Sequence, residues 1–261
     1  MTHNDDILKK IGKTLDELLF DSYSLFFLSR NIQFLIDLHS SQNLTGIRER
    51  ILLFDILNKY CQLIESFAAH ITAFEKSNKG NPSSQIIFNH LAWYMVDSVL
   101  KDYSIFNTGP EDPPPEINVL FEEKIRYAFG LIHIIDKDRV ERNVQLIFDM
   151  LIPLFQMYYF HERIYNANKH GHRVFHFYNL DQNENEPVLF LDRMPKTHED
   201  YNIEEGHDRF LIDFVTVSKS LLEKLVLPNI QKFGRMYRMM LENNKFIIKK
   251  ELGMIRTIDE F

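Results

Sequence analysis

Cysteine is almost missing from this chain. Cys61 is the only one in 261 residues, so no intramolecular disulfide can form and a reducing compartment fits best. Its neighbours Leu57, Tyr60 and Ile64 mark it as a small packed residue rather than a reactive thiol. Glycine and proline are scarce too, nine of each, which excludes a loop-rich design and favours long regular elements. No apolar run is long enough to cross a bilayer. The richest, residues 146–160, is broken by Asp149, Pro153 and Gln156 and falls short of the roughly 18–20 residues required, so no membrane partner is expected. The start Met1-Thr2-His3-Asn4-Asp5-Asp6 lacks the basic stretch and apolar run of an export signal, and a cytoplasmic location follows as the expectation. There is no glycine-rich phosphate loop, no Gly-x-Ser-x-Gly elbow and no His-Glu-x-x-His helix. Nucleotide hydrolysis, hydride transfer and serine hydrolysis are therefore disfavoured, and no cofactor is expected.

What is present is apolar bulk. Hydrophobic residues make up 45% of the chain, with 22 Phe and 11 Tyr, enough to build a sizeable core. Against 30 basic residues stand 37 acidic ones, a formal charge of −7, so the surface as a whole repels nucleic acid unless cations are gathered locally. They are gathered over residues 228–250, where Lys232, Arg235, Arg238, Lys245, Lys249 and Lys250 face the single acid Glu242. A solvated helix face with its stems over apolar surface accounts for that run, and docking of an acidic partner is the other reading. Glu122 and Glu123 beside Lys124 read as a solvated helix face as well.

Periodicity predicts a mainly α protein, a bundle of long amphipathic helices. Helices are expected over residues 7–20, 21–38, 47–74, 85–103, 117–135, 138–169, 211–227 and 230–243. In the third of these Ile51, Phe54, Leu57, Cys61, Ile64, Phe67 and Ile71 recur at three and four. Thr45 offers it a cap, and residues 79–83 should end it as a loop. Pro153 should bend the helix over 138–169. A small β-hairpin insertion is expected near residues 173–192, where short aromatic and β-branched runs flank a polar turn. The chain divides into an N-terminal helical part, 1–106, a Pro-rich loop, 107–116, and a C-terminal helical part with the hairpin, 117–261, packed as one globular unit.

The functional signal sits in Glu162-Arg163-Ile164-Tyr165-Asn166-Ala167-Asn168-Lys169-His170-Gly171-His172-Arg173. With about 3.6 residues per turn, Arg163, Asn166 and His170 at i, i+3 and i+7 line one helix face. Arg presents a planar fork to phosphate oxygens and His exchanges a proton near neutral pH, a pairing suited to phosphodiester chemistry. Gly171 stands where a left-handed C-terminal cap is expected. Tyr158, Tyr159 and Tyr165 read as core or interface aromatics.

Arg163, six intervening residues and then His170-Gly171 resembles the Arg-x(4–6)-His signature of the HEPN superfamily, all-helical proteins of which many are metal-independent ribonucleases. The resemblance covers the helix pair over 117–171. It departs at Ile164, where many members carry a polar residue, and at His172, where many carry an aromatic. It implies an endoribonuclease in which His170 acts on the ribose 2′-hydroxyl and Arg163 stabilises the developing phosphorane charge. Asn166, Lys169 and Arg173 would contact substrate, with Glu162 and Tyr165 in support, and two copies would meet as a homodimer on RNA. The alternative is a non-catalytic helical interaction protein with a protein partner, in which the same motif ties the bundle to the hairpin. His170, His172 and His176 share parity, as strand-borne metal ligands would, but no carboxylate or second cysteine joins them and no metal is expected.

Overall fold

In the computed structural model, residues 3–21, 24–42, 44, 47–93, 100–108, 112–169, 174–175, 188–193, 210–215 and 219–261 are described. Helices dominate them: α1 (His3–Ile11), α2 (Leu15–Asp21), α3 (Ser24–Ser41), α4 (Ile47–Lys79), α5 (Ser84–Ala92), α6 (Val119–Ala128), α7 (Lys137–Lys169) and α8 (Leu227–Ile248). The mainly α expectation holds. Thr45 lies outside the described residues.

Several boundaries differ from the periodicity, each for a local reason. The helix expected over 7–20 is two helices, because Gly12 turns left-handed at φ 63. Thr14 then restarts the chain with a capping box: its Oγ1 accepts from the Glu17 amide at 3.2 Å while its own amide donates to the Glu17 carboxylate at 2.8 Å. Within the helix expected over 85–103, α5 closes at Ala92, Leu100 and Lys101 are helical again, and a tight turn follows at Ser104–Phe106, where Tyr103 is anchored by its hydroxyl on the Ala68 carbonyl. The helix expected over 117–135 ends at Ala128, with Gly130 left-handed at φ 71.

The hairpin expected near 173–192 is not the unit that stands there. A three-stranded antiparallel sheet does, β1 (Val174–Phe175), β2 (Val188–Arg193) and β3 (Phe210–Val215) in that order, with Val174 opposite Phe190 and Phe190 opposite Asp213. β3 also corrects the helix expected from residue 211. Its run Phe-Leu-Ile-Asp-Phe-Val is rich in aromatic and β-branched residues, and the open edge of β2 gives it a ladder to complete. The sheet lies against α7.

α4 is the hub. It touches α3, α5, α6 and α7, and Leu57, Tyr60, Cys61, Ile64, Phe67, Ile71 and Phe74 along it are fully buried. At 33 residues each, α4 and α7 run about 50 Å, long enough to cross the whole bundle. Tyr103 and Phe106 stack on Phe155, and Phe67, Phe233 and Tyr237 form a second aromatic knot. One core cluster runs from Leu19 to Ile258 and so includes both helical parts.

Two polar devices hold the hub in register. Asn78 donates to the Tyr127 carbonyl and to Asn244 Oδ1, both at 2.7 Å; Asn244 donates to the Ala128 carbonyl at 2.8 Å and Asn243 to that of Phe129 at 2.9 Å. Together they satisfy carbonyls that the end of α6 would leave bare. Lys124 corrects the solvated face assigned to it: only 6% exposed, its ammonium donates to Glu75 at 2.8 Å and Asp102 at 3.0 Å, since a charge removed from water must be paired. Before α8 the helical path widens into a π turn at Leu222–Val226, which makes room for the Pro228 ring two residues on, so the proline neither ends the path nor clashes.

Candidate functional site

α7 carries Glu162 to Lys169 of the motif at its C-terminal end. Pro153 sits inside the helix as expected, and the carbonyls of Pro153 and Leu154 take partners from outside it: Asn229 Nδ2 at 3.1 Å and the Tyr60 hydroxyl at 3.1 Å. From there Tyr158, His161, Ile164 and Tyr165 line the buried face. Arg163 faces outward and is exposed, and Asn166, one turn on, is half-buried. The helix runs to Lys169. His170, Gly171, His172, Arg173 and His176 lie outside the described residues, so the pairing of Arg163 with His170 does too.

Behind the exposed face sits a buried carboxylate with two partners that the sequence did not reveal. Glu65 of α4 is only 6% exposed and accepts from the Tyr165 hydroxyl at 2.7 Å and from the Lys169 ammonium at 2.9 Å. The Lys169 ammonium also lies 5.5 Å from the Tyr165 ring centre. Lys169 is thereby held and largely neutralised by an acid about a hundred residues earlier, and Tyr165 is a packed support. The signal was a carboxylate inside an otherwise apolar stripe, between Ile64 and Phe67. Burial, and then Glu65 and Glu162, push the Cys61 thiol up, so it stays protonated and inert. Tyr158 is raised by burial and by Glu162 and Glu65 in turn, and its hydroxyl has no hydrogen-bond partner among the described residues. His161 is lowered by burial while its Nδ1 donates to the Met157 carbonyl at 2.9 Å. Tyr158 and Tyr165 are core aromatics, as read, and Tyr159 is half-buried with its hydroxyl on the Leu100 carbonyl.

Phe160 was the other residue missed. It is 70% exposed, three positions before Arg163, so a phenyl ring and a guanidinium follow one another along the outer face. Among the described residues, no group of three or more His, Cys, Asp or Glu side chains is placed to hold a metal ion, and no helix is long and apolar enough to cross a membrane.

A second feature is a cleft of about 780 Å³ where α2, α3 and α8 meet, lined by Phe20, Phe26, Phe27, Leu241 and Phe246 with Arg30, Arg238, Glu242 and Lys245. Two members of the basic run are therefore at a concavity. Of the others, Arg235 donates to the Ile258 carbonyl at 3.2 Å, Lys232 is half-buried, and Lys249 and Lys250 are exposed.

No known protein family matches the chain, and no curated protein and no solved structure is similar to it.

Proposed function

We propose that the outer face of the last turns of α7 is a single-stranded RNA contact of HEPN-like type, and that the protein is a metal-independent endoribonuclease working as a cytoplasmic homodimer. Phe160 stacks on a base, Arg163 and Asn166 take the adjacent phosphate, and Arg173 adds a phosphate contact. His170 accepts the proton of the ribose 2′-hydroxyl. The 2′-oxygen then attacks phosphorus, the P–O5′ bond breaks, the departing 5′-oxygen takes a proton from water, and a 2′,3′-cyclic phosphate remains while the His170 imidazolium returns its proton to solvent; Arg163 offsets the charge that builds on the phosphorane. Lys169 positions the helix end through Glu65 rather than meeting RNA. The observation that carries this proposal is the exposed phenyl of Phe160 one turn before the exposed Arg163, a stacking surface beside a phosphate fork.

The test uses a labelled single-stranded oligonucleotide with purified protein in chelator. Phe160→Ala and Arg163→Ala should each weaken binding by about 1–3 kcal/mol, and His170→Ala should abolish cleavage while sparing binding. Equal cleavage by wild type, Arg163→Ala and His170→Ala would assign the activity to a contaminant and sink the proposal. A second reading, a non-catalytic helical interaction protein, draws on the cleft, where Arg238 and Lys245 of the last helix stand beside Arg30 of α3 as a dock for an acidic partner.

A further inference from the structure

The cleft at the junction of α2, α3 and α8 is remote in sequence from the motif on α7 and carries its own chemistry. Its bed is aromatic: Phe20 is buried, Phe26 and Phe246 are half-buried, and Phe27 is 75% exposed although it lines a concavity. Its volume of about 780 Å³ lies in the range of small-molecule sites. Of the charged groups on its wall, two are already balanced. Lys245 pairs with Asp21 at 3.0 Å, and Glu242 lies 3.8 Å from Arg256. Arg30 and Arg238, from two different helices, have no carboxylate or hydrogen-bond partner among the described residues. Two unopposed guanidiniums over phenylalanines attract an anion whose body is apolar.

The lining also says what the body is not. Among the described residues that line the cleft there is no Ser, Thr, Asn or Gln, so a nucleobase or sugar would set most of its polar edges against phenyl rings. An aliphatic or aryl body has no such edges and gains from burial on Phe27 and Phe246. We infer that this cleft binds an amphipathic anion, a single carboxylate or phosphate head on an apolar body, with the head between Arg30 and Arg238.

Calorimetric titration of the full chain with decanoate and with decyl phosphate, both below micelle formation, tests it. Saturable one-to-one binding is expected for at least one, the tighter of the two naming the head group. Arg30→Gln and Arg238→Gln should each weaken it about tenfold, as loss of a charge-assisted contact does, with unchanged thermal unfolding because both residues are exposed. Phe27→Ser should weaken it without affecting the fold. Decanol should bind more weakly than decanoate, and adenosine monophosphate no better than inorganic phosphate. No saturable binding of either anion, decanol binding as tightly as decanoate, tighter binding of the nucleotide, or undiminished affinity in the double arginine variant would each overturn the assignment.

Discussion

Single side chains set how this protein meets acid. Burial pulls the His70 imidazole down to about 4, against the hydrogen bond its Nδ1 gives the Ser66 carbonyl at 2.8 Å, and burial lowers His161 and His133 as well. Between the ordinary value near 6.5 and the folded value the unfolded chain binds a proton that the folded chain refuses. Stability therefore falls as pH drops through that window and levels off below it. Denaturant melts at pH 7 and pH 4.5 should show His70→Asn reducing the pH-linked loss by about 2 kcal/mol, less than the full shift would give because the ring is only half-buried. An equal loss in wild type and variant would remove His70 from the account. Asn244 acts on packing instead. Asn244→Ala deletes bonds to the Ala128 and Met240 carbonyls and leaves Asn78 short of an acceptor, so urea unfolding should show a cost of about 2–4 kcal/mol. Glu65 belongs with them, as the acid that fixes the end of α7 from a distant helix.

Elements end where backbone geometry, rather than hydropathy, dictates. At Gly130 a Cβ would fall 2.8 Å from Ile247 Cδ1 and 3.3 Å from Asn243 Cβ, with φ at 71. Gly130→Ala should then destabilise by about 1–3 kcal/mol, read as a lower denaturation midpoint with an unchanged slope, whereas Gly234→Ala, with nothing within 4 Å of the new carbon, should not. The same contrast explains what could be read beforehand. Helices α4 and α7 were legible because Ile64, Phe67 and Ile71, or Phe148, Leu151 and Phe155, repeat at three and four along a wide buried face. β3 was not, because Leu211-Ile212-Asp213-Phe214-Val215 fits either period and its state is decided by pairing with a strand about twenty residues earlier. Lys124 was misplaced for a similar reason: neither Glu75 nor Asp102 is near it in sequence. Spacing alone put Arg163 and Asn166 on one helix face, while the exposure of Arg163 and Phe160 and the role of Glu65 depended on which side of α7 meets α4.

At the scale of the molecule, its ties are between distant parts of the chain. Tyr60 bonds the Leu154 carbonyl across 94 positions, Tyr165 reaches Glu65 across 100, and Asn78 reaches Asn244 across 166. Helical bundles built of neighbouring hairpins fold in microseconds to milliseconds, but a hub closed by such separations must first lose the entropy of long loops. Stopped-flow refolding should accordingly show a dominant phase of about tens of milliseconds or slower, and a microsecond phase that recovers the full native signal would contradict this. The delay is longer in a cell. At about 5–20 residues per second the ribosome delivers Asn244 roughly 10–30 s after Asn78, and through that interval Phe67 and Asn78 of α4 lack the rings and the amide that the last helix brings to them.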